Sequence, residues 1–350
     1  MIRQRLRNLV RLVRNTDGAR REAVRVHAFH QARRLTPFLG VEQDGVRLIL
    51  STHESEGVEF LTFVFGSFSE ATISAMRTAL EQHADIATLD GLSVLEVGAN
   101  IGTETVSLLV RHGVERIVAI EPNMENVRIL RANLALNGLE DRVEIHQIAL
   151  SDFDGTVELE NSSDNWGDHR VRVDEPSGPD LFGENERTTT EVSARRIDSL
   201  ADAKEIDLSG IDLVWMDAQG HEAHILAGAE QLAAAGTPIV TEYWPYGLRR
   251  AGALDRFHAL VAEHYGVVVD LREPTVALDA KRVAELADRL ASEENGNPRD
   301  PYTDLLLLPA VGQRRVSAEQ RDGRIAAGRS AWADRSRRPL PARQNTGVSV

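Results

Sequence analysis

The chain has no cysteine among its 350 residues, and this absence removes several classes of protein at once. Disulfides, thiolate metal sites and a cysteine nucleophile are excluded, so any metal ion would have to bind to His, Asp or Glu. Long apolar runs are also missing, because no stretch approaches the ~20 residues that a membrane-spanning helix needs. The N-terminus is basic but lacks the apolar segment of a signal peptide. We therefore expect a soluble, cytoplasmic protein.

Basic residues are scarce in the middle of the chain. The formal net charge of −14 conceals ten Arg within residues 1–35 and nine within residues 311–350, so the part between them carries a net charge near −28. A body this acidic repels phosphate backbones, and we expect no nucleic-acid partner. The first segment has apolar residues at helical spacing, namely Ile2, Leu6, Leu9 and Val13. This spacing predicts a basic amphipathic helix that packs on the acidic body or touches an anionic membrane surface. The C-terminal segment has no periodicity and is expected to be disordered.

Between the terminal segments, strand patterns alternate with helix patterns. Residues 36–90 predict a small α+β block, with strands at 46–50 and 60–65 and a helix from Ser69. Residues 91–310 predict strands at 94–97, 117–120, 143–150, 211–216, 239–243 and 267–271, with helices at 103–112, 123–138, 221–235, 253–264 and 279–291. An irregular insertion covers residues 152–190. Strands that are apolar throughout indicate a parallel sheet with helices on both faces, a doubly wound α/β fold.

Acidic residues stand at or just after the ends of the predicted strands. In a doubly wound sheet, ligands bind beyond the carboxyl ends of the strands. One acid at such a position is equally well explained as a turn former. Five on one edge of a sheet indicate a binding site instead: Glu96, Glu121, Asp152, Asp217 and Glu242.

The segment "VLEVGANIGTET", residues 94–105, forms a glycine turn after the first of these strands. A dinucleotide site favours G-x-G-x-x-G, whose second glycine lets the backbone approach the pyrophosphate. Here Asn100 stands at that position and would crowd a pyrophosphate. A ligand with an adenosine and a cationic amino-acid tail, S-adenosylmethionine, suits an acidic strand edge better. We expect the cofactor to be bound by Glu96, Gly98, Asn100, Gly102, Asp217, by Glu121 with Pro122 and Asn123 at the ribose, and by Asp152 at the adenine.

Methyl transfer to an alcohol requires alignment, exclusion of water and a base for the hydroxyl proton. Asp217 is the first candidate for the catalytic base, with His221 and Glu242 behind it. His221 opens a predicted helix, whose positive end disfavours a protonated ring. No metal is assigned, although a divalent cation, if one is required, would be held by Asp217, Glu222 and Glu242.

The long insertion predicts a cover over the acceptor site, because loops of this length are usually functional or disordered. Indole rings there could stack on a sugar. We expect the acceptor to contact Asn165, Trp166, His169, Gln219 and Trp244. Two other functions stay open: an NAD(P)-dependent oxidoreductase and an inert protein of the same fold that binds the cofactor as a scaffold.

Several segments, in this order and spacing, resemble the FkbM-like S-adenosylmethionine-dependent methyltransferases over roughly residues 60–310. They are "VLEVGANIGTET", "VAIEPNMENVRILRANLALNG", "EIHQIALSDFDG", "RRIDSL", "IDLVWMDAQGHEAHILAGAEQLA" and "IVTEYW". The resemblance implies a class I methyltransferase fold and transfer of a methyl group to a hydroxyl of a sugar, glycolipid or polyketide-type product. The chain departs from the family pattern at Trp215, where a lysine is common, and at Gln219, where a glutamate is usual. The sequence does not settle whether the chain forms a homo-oligomer.

Overall fold

The computed structural model describes residues 18–53, 57–163, 165–174, 176–292 and 301–310. Its helices are α1 (Gly18–Ala32), α2 (Val58–Phe65), α3 (Glu70–Ala84), α4 (Thr103–Arg111), α5 (Met124–Asn137), α6 (Ile197–Asp202), α7 (Glu222–Ala227), α8 (Glu230–Ala235), α9 (Pro245–Arg250), α10 (Leu254–His264) and α11 (Glu285–Ser292). Its strands are β1 (Phe38–Gln43), β2 (Val46–Ser51), β3 (Ser93–Val97), β4 (Arg116–Ile120), β5 (Val143–His146), β6 (Ala149–Leu150), β7 (Gly155–Asn161), β8 (Arg170–Val171), β9 (Thr188–Arg195), β10 (Leu213–Met216), β11 (Ile239–Tyr243), β12 (Val267–Asp270), β13 (Ala277–Asp279) and β14 (Thr303–Leu308). The predicted stripe from Ile2 to Val13 and the predicted disordered segment 311–350 lie outside the described residues.

The main sheet has eight strands in the order β13-β12-β14-β11-β10-β3-β4-β5. The strands from β11 to β5 pair in parallel, whereas β14 runs antiparallel between β11 and β12, and β13 antiparallel to β12. The expectation of a parallel sheet was therefore incomplete, because an apolar pattern does not encode the direction of a strand. The parallel strands from β11 to β5, with helices on both faces of the sheet, form a Rossmann-like arrangement, which confirms the predicted α/β fold class.

Helices cover both faces of this sheet, as expected for a doubly wound fold. Neighbouring residues of β3 point to opposite sides: Val94 belongs to a core with Leu108 and Leu130, whereas Leu95 belongs to a core with Phe257. All five side chains are fully buried. Burial on both faces explains why β3, β10 and β11 are mostly apolar and do not alternate between apolar and polar residues.

The ends of α5 form as the sequence predicts. Asn123 is the N-cap, and its Oδ1 accepts hydrogen bonds from the backbone N–H of Glu125 (2.9 Å) and of Asn126 (3.1 Å). Gly138 ends the helix in the left-handed region, with φ +65°. Both signals are local, and they need no tertiary partner.

Residues 60–65 form helix α2, so the predicted strand was wrong. Aromatic and β-branched residues favour strands, but Phe60 and Phe63, three positions apart, both pack on Phe29 of α1. The ring centroids lie 5.3 Å and 5.4 Å from that of Phe29. A partner distant in sequence thus selects the helical period.

The predicted helix at 221–235 is two helices, α7 and α8. The break occurs at Gly228, where a Cβ would lie 2.2 Å from the carbonyl oxygen of Ser151. The predicted helix at 279–291 likewise starts only at Glu285, after the short strand β13. The predicted strand at 143–150 divides into β5 of the main sheet and β6 of a second sheet.

The insertion contains ordered strands. A second sheet has the order β6-β9-β7-β8, and β7 pairs antiparallel with β9 from Gly155↔Ala194 to Asn161↔Thr188. Leu159, Asn161 and Thr188 of this sheet face the same cavity as the ends of β3, β4, β10 and β11. The insertion therefore forms one wall of that cavity.

The N-terminal block docks on the main domain through Asn133 of α5. Its side-chain Oδ1 accepts from the backbone N–H of Ile49 in β2 (2.6 Å), and its Nδ2 donates to the carbonyl of Ile101 (2.8 Å). Leu48 and Leu50 of β2 belong to the same core as Leu130. Among the helices of the described ranges, none has the length and apolarity needed to cross a membrane.

Candidate active site

A cavity of about 1160 Å³ opens at the carboxyl ends of β3, β4, β10 and β11. Sites for a single small molecule usually measure roughly 300–1,000 Å³, so this cavity has room for a donor and an acceptor together. Most of the residues predicted from sequence line it: Gly98, Asn100, Glu121, Pro122, Asn165, Trp166, His169, Asp217, Gln219, His221, Glu242 and Trp244.

Five predicted residues lie behind the wall of this cavity: Glu96, Gly102, Asn123, Asp152 and Glu222. Glu96 is 1% exposed and its Oε2 accepts from the Thr105 hydroxyl at 2.6 Å, while burial raises the pKa of Glu96 to about 8. Asp152, expected at the adenine, instead accepts from Arg256 Nη1 at 2.6 Å. The structure therefore does not bring these two acids into contact with a ligand in the cavity.

Packing explains both glycines of the turn. Gly98 has φ +84°, and a Cβ there would lie 1.9 Å from the carbonyl oxygen of Asp217 on the neighbouring strand. Gly102 has φ +85°, and a Cβ there would lie 2.4 Å from Leu130 Cδ1. Asn100 also has a left-handed backbone, with φ +49°. Its side chain occupies the position at which a dinucleotide site has a glycine.

Glu121 binds groups from two loops. Its Oε2 accepts from the backbone N–H of Asn100 (2.9 Å), and its Oε1 accepts from the backbone N–H of Asn123 (2.8 Å) and from Asn126 Nδ2 (3.5 Å). Burial nevertheless raises the pKa of Glu121 to about 7. Because each carboxylate oxygen has two acceptor positions, Glu121 keeps one further acceptor position for a ligand, at Oε2.

Carboxylates from three neighbouring strands meet at the edge of the cavity. Asp217 follows β10, Glu242 lies in β11, and Asp304 of β14 is directly opposite Glu242 in the antiparallel register. Burial raises the pKa of Asp304 to about 7 and also raises the pKa of Asp217. Glu104, hydrogen-bonded to the Ser69 hydroxyl, lines the same cavity. This group is strongly acidic and favours a cationic ligand.

Asp304 and Glu104 were missed from the sequence. An acid at the start of a strand reaches the ligand edge only if that strand runs antiparallel, and the direction of β14 was not predicted. Glu104 lies in the first turn of α4, where acids are common for helix-dipole reasons alone. Asn126, Asp168 and Arg33 also line the cavity without having been predicted.

The loop from Asp217 to His221 carries the remaining predicted residues. Gln219 has φ +53°, and its Nε2 donates to Asp217 Oδ1 (2.7 Å) and to Glu242 Oε2 (3.3 Å). One carboxylate oxygen each from Asp217, Glu222 and Glu242 lie within 4.8 Å of one another. The structure thus brings together the three acids named as conditional cation ligands.

His221 is the N-cap of α7 and lies against the end of β6. Its Nε2 is 3.0 Å from the Ser151 hydroxyl, and its ring stacks on His224 with 4.4 Å between centroids. Burial lowers the pKa of His221 to about 3. The imidazole is therefore neutral, as expected, but it is a weak base whose Nε2 already faces Ser151.

His169 is fixed in one tautomer. Its Nδ1 accepts from the backbone N–H of Ser162 at 3.0 Å, and burial lowers the pKa of His169 to about 4. The ring proton therefore sits on Nε2. His169 lines the cavity as a hydrogen-bond donor, and it is not a base.

The two tryptophans differ in what they offer a ligand. Trp166 lines the cavity and stacks on His53, with 5.6 Å between ring centroids. Trp244 is 3% exposed, and the Arg170 guanidinium lies 4.4 Å from its ring centroid. Trp244 therefore offers little ring surface on which a sugar could stack.

A buried ion-pair network holds the insertion in place beside Trp244. Arg170 pairs with Asp168 and, at 2.7 Å, with Glu184, while Arg187 Nη2 pairs with Asp168 at 2.5 Å. Paired charges of this kind fix geometry, because breaking one pair leaves an uncompensated buried charge.

Residues 96–260 match the family model of the methyltransferase FkbM domain. The chain is 27% identical over 159 residues to the 2-O-methyltransferase NoeI of Sinorhizobium fredii, which is 43% of this chain and 62% of that protein. It is 33% identical over 120 residues to the ribosomal protein L11 methyltransferase of Sorangium cellulosum, 33% of this chain and 34% of that protein. The chain thus spans less than two thirds of either relative.

Among solved structures, methyltransferase FkbM from Methylobacillus flagellatus matches with a TM-score of 0.37 and 15% identity, covering 85% of this chain and 60% of that one. The glycine turn, Glu121 and the loop after Asp217 all fall within the range of the family model. Residues 96–260 of the chain are therefore similar to the methyltransferase FkbM domain.

Proposed function

We propose that the protein is an S-adenosylmethionine-dependent methyltransferase that methylates a hydroxyl of a sugar, glycolipid or polyketide-type product. The observation that carries this proposal is the cavity at the sheet edge. It is lined by Glu104, Glu121, Asp217, Glu242 and Asp304, and the side chain of Asn100 occupies the position that a pyrophosphate needs.

The charge of the cavity fits a sulfonium and an ammonium group. Burial raises the pKa of Glu121, Asp217 and Asp304, which means that their negative charges are poorly solvated. A cationic ligand would stabilise those charges. A pyrophosphate would be repelled by them, which disfavours a nicotinamide oxidoreductase.

Two buried acceptors in the wall also fit this cofactor. Asn100 Oδ1 and Asn126 Oδ1 accept no hydrogen bond from any residue in the described ranges. A buried polar atom without a partner is unfavourable by about 1–3 kcal/mol. The ammonium, the ribose hydroxyls and the adenine amino group of S-adenosylmethionine are donors that could satisfy them, while Glu121 Oε2 offers its remaining acceptor position to the ribose.

When bound, S-adenosylmethionine supplies an electrophilic methyl group on a sulfonium. The chain must hold the acceptor oxygen in line with that group and remove the hydroxyl proton. Asp217 is suited to this task, because it lines the cavity while Gln219 Nε2 holds its Oδ1 in place. Asp217 would accept the proton of the acceptor hydroxyl as its oxygen is methylated. His169 and Trp166 cover the cavity and limit water.

The hydroxyl acceptor is supported by the name of one relative, a 2-O-methyltransferase. Cavity size supports an acceptor of the dimensions of a sugar or a polyketide fragment, because about 1160 Å³ exceeds what the cofactor alone would fill. Methyl transfer is favoured over an inert scaffold because Asp217 and Glu242 remain in the cavity next to the space for the acceptor.

Calorimetric titration with S-adenosylhomocysteine tests the cofactor. We expect one site per chain with a Kd in the micromolar range, about −8 kcal/mol, and no binding of NADH. Labelled S-adenosylmethionine with a panel of glycans, glycolipids and polyketide alcohols then tests the acceptor. Asp217→Asn should reduce turnover roughly 10²–10⁴-fold. Absence of binding to both the methyl donor and its demethylated product would contradict the proposal.

A further inference from the structure

The loop between β10 and α7 has an unusual backbone that one buried acid stabilises. Glu222 Oε1 accepts from the backbone N–H of Ala218 (2.9 Å) and of Gly220 (3.2 Å). These bonds hold two successive residues in the left-handed region, Gln219 with φ +53° and Gly220 with φ +97°. A residue other than glycine rarely adopts this backbone conformation unless its surroundings impose it. The loop is therefore built to direct the side chain of Gln219.

That side chain points between the ends of two neighbouring strands. Gln219 Nε2 lies 2.7 Å from Asp217 Oδ1 and 3.3 Å from Glu242 Oε2. Ionised carboxylates only accept hydrogen bonds, so the nitrogen of the amide, which has two donors, must face them. One neutral group thus bridges two acids that would otherwise repel each other.

The position of this nitrogen is one that a cation could take. One oxygen from each of Asp217, Glu222 and Glu242 lie within 4.8 Å of one another. An ion with bonds to oxygen of about 2.3–2.6 Å, the range of Ca²⁺, reaches ligands separated by that distance. The Gln219 nitrogen contacts two of these three acids from the space between them.

We propose that the Gln219 amide takes the place of a divalent cation between Asp217 and Glu242 and so positions both carboxylates without a metal. For the orientation of Asp217 towards an acceptor hydroxyl, this inference rests on the proposed function. Gln219 is then a positioning residue. A glutamate at residue 219 would replace the two N–H donors by acceptors and open the space to a cation.

A Mn²⁺ titration, followed by the electron paramagnetic resonance of free Mn²⁺, tests this idea in the full chain without any methyl acceptor. We expect the unmodified protein to show no saturable site below about 1 mM, and Gln219→Glu to bind one Mn²⁺ at least tenfold more tightly. The double variant Gln219→Glu with Glu242→Gln should lose that gain. Gln219→Gly removes the amide in a residue that tolerates the left-handed backbone, and it should also raise Mn²⁺ affinity.

Gln231→Glu is the matched control. Gln231 Nε2 likewise donates to a carboxylate, Asp202 Oδ1 at 3.0 Å, but on the exposed surface of α8 and outside the cavity. This variant adds the same charge beside an acid and should leave Mn²⁺ affinity unchanged.

Two results would overturn the inference. One is a tight Mn²⁺ site in the unmodified protein that is lost in Asp217→Asn. This result would show that Asp217, Glu222 and Glu242 bind a cation and that the Gln219 amide turns away from them. The other is the absence of any gain in both Gln219→Glu and Gln219→Gly when circular dichroism shows them folded. A parallel S-adenosylhomocysteine titration separates these outcomes from failure of the proposed function, since Mn²⁺ binding does not depend on the cofactor.

Discussion

Replacing Glu121 by alanine should weaken S-adenosylhomocysteine binding at least tenfold. Glu121 Oε2 accepts one backbone N–H, at 2.9 Å, and keeps one acceptor position for a ribose hydroxyl, whereas Oε1 accepts from both Asn123 and Asn126. A hydrogen bond to a charged group contributes about 1.5–3 kcal/mol. Loss of this bond should therefore weaken binding by at least about 1.4 kcal/mol, which is tenfold in Kd.

The variant also frees the N–H groups of Asn100 and Asn123, and its effect on the turn must be separated from the ribose contact. Calorimetry with S-adenosylhomocysteine and with its 2′,3′-dideoxy analogue provides a double-mutant cycle. The unmodified protein should prefer the natural ligand at least tenfold, and Glu121→Ala should not discriminate. Glu125→Ala, on the exposed first turn of α5, is the control. Equal discrimination by Glu121→Ala and the unmodified protein would refute the ribose contact.

Three further changes test the site. Burial keeps the pKa of Glu96 near 8, above its value of 4.5 when exposed, so the folded chain retains a proton that the unfolded chain loses. The free energy of unfolding without ligand should therefore fall as the pH rises from about 5 to 8. In thermal unfolding at pH 8, Glu96→Gln should be more stable than the unmodified protein by at least about 1 kcal/mol, and a lower melting temperature of the variant would contradict this prediction. Since the pKa of Glu121 is about 7, ionisation above pH 7 should strengthen S-adenosylhomocysteine binding, with affinity falling up to tenfold per pH unit below 7. The profile should be shallower in Glu121→Ala, in which Asp304 still titrates near pH 7. Gly98→Ala should reduce the free energy of unfolding, measured by urea titration, by about 2–5 kcal/mol. The control is Gly138→Ala, which also has a positive φ but open space around it and should lose only about 1–2 kcal/mol. Equal losses in the two variants would show that the contact between residue 98 and Asp217 does not affect stability.

Local signals gave the parts of the fold that depend on neighbours in sequence. The cap at Asn123, the stop at Gly138 and the glycine turn around Asn100 are set by backbone conformation and by side chains two or three residues away. Strands buried on both faces are mostly apolar along their length, so the α/β class followed from the pattern alone. The order of acids after the strands then located the ligand edge, because parallel strands end on the same side.

Tertiary structure decided everything that depends on a distant partner. Residues 60–65 are helical because Phe60 and Phe63 pack on Phe29, and Asp304 joins the cavity because β14 runs antiparallel beside β11. Glu96 and Glu121 look alike in sequence, each at a strand end, yet only Glu121 lines the cavity. A strand pattern specifies which residues are buried, but the direction of a strand and the side on which an acid emerges depend on long-range packing that no short segment encodes.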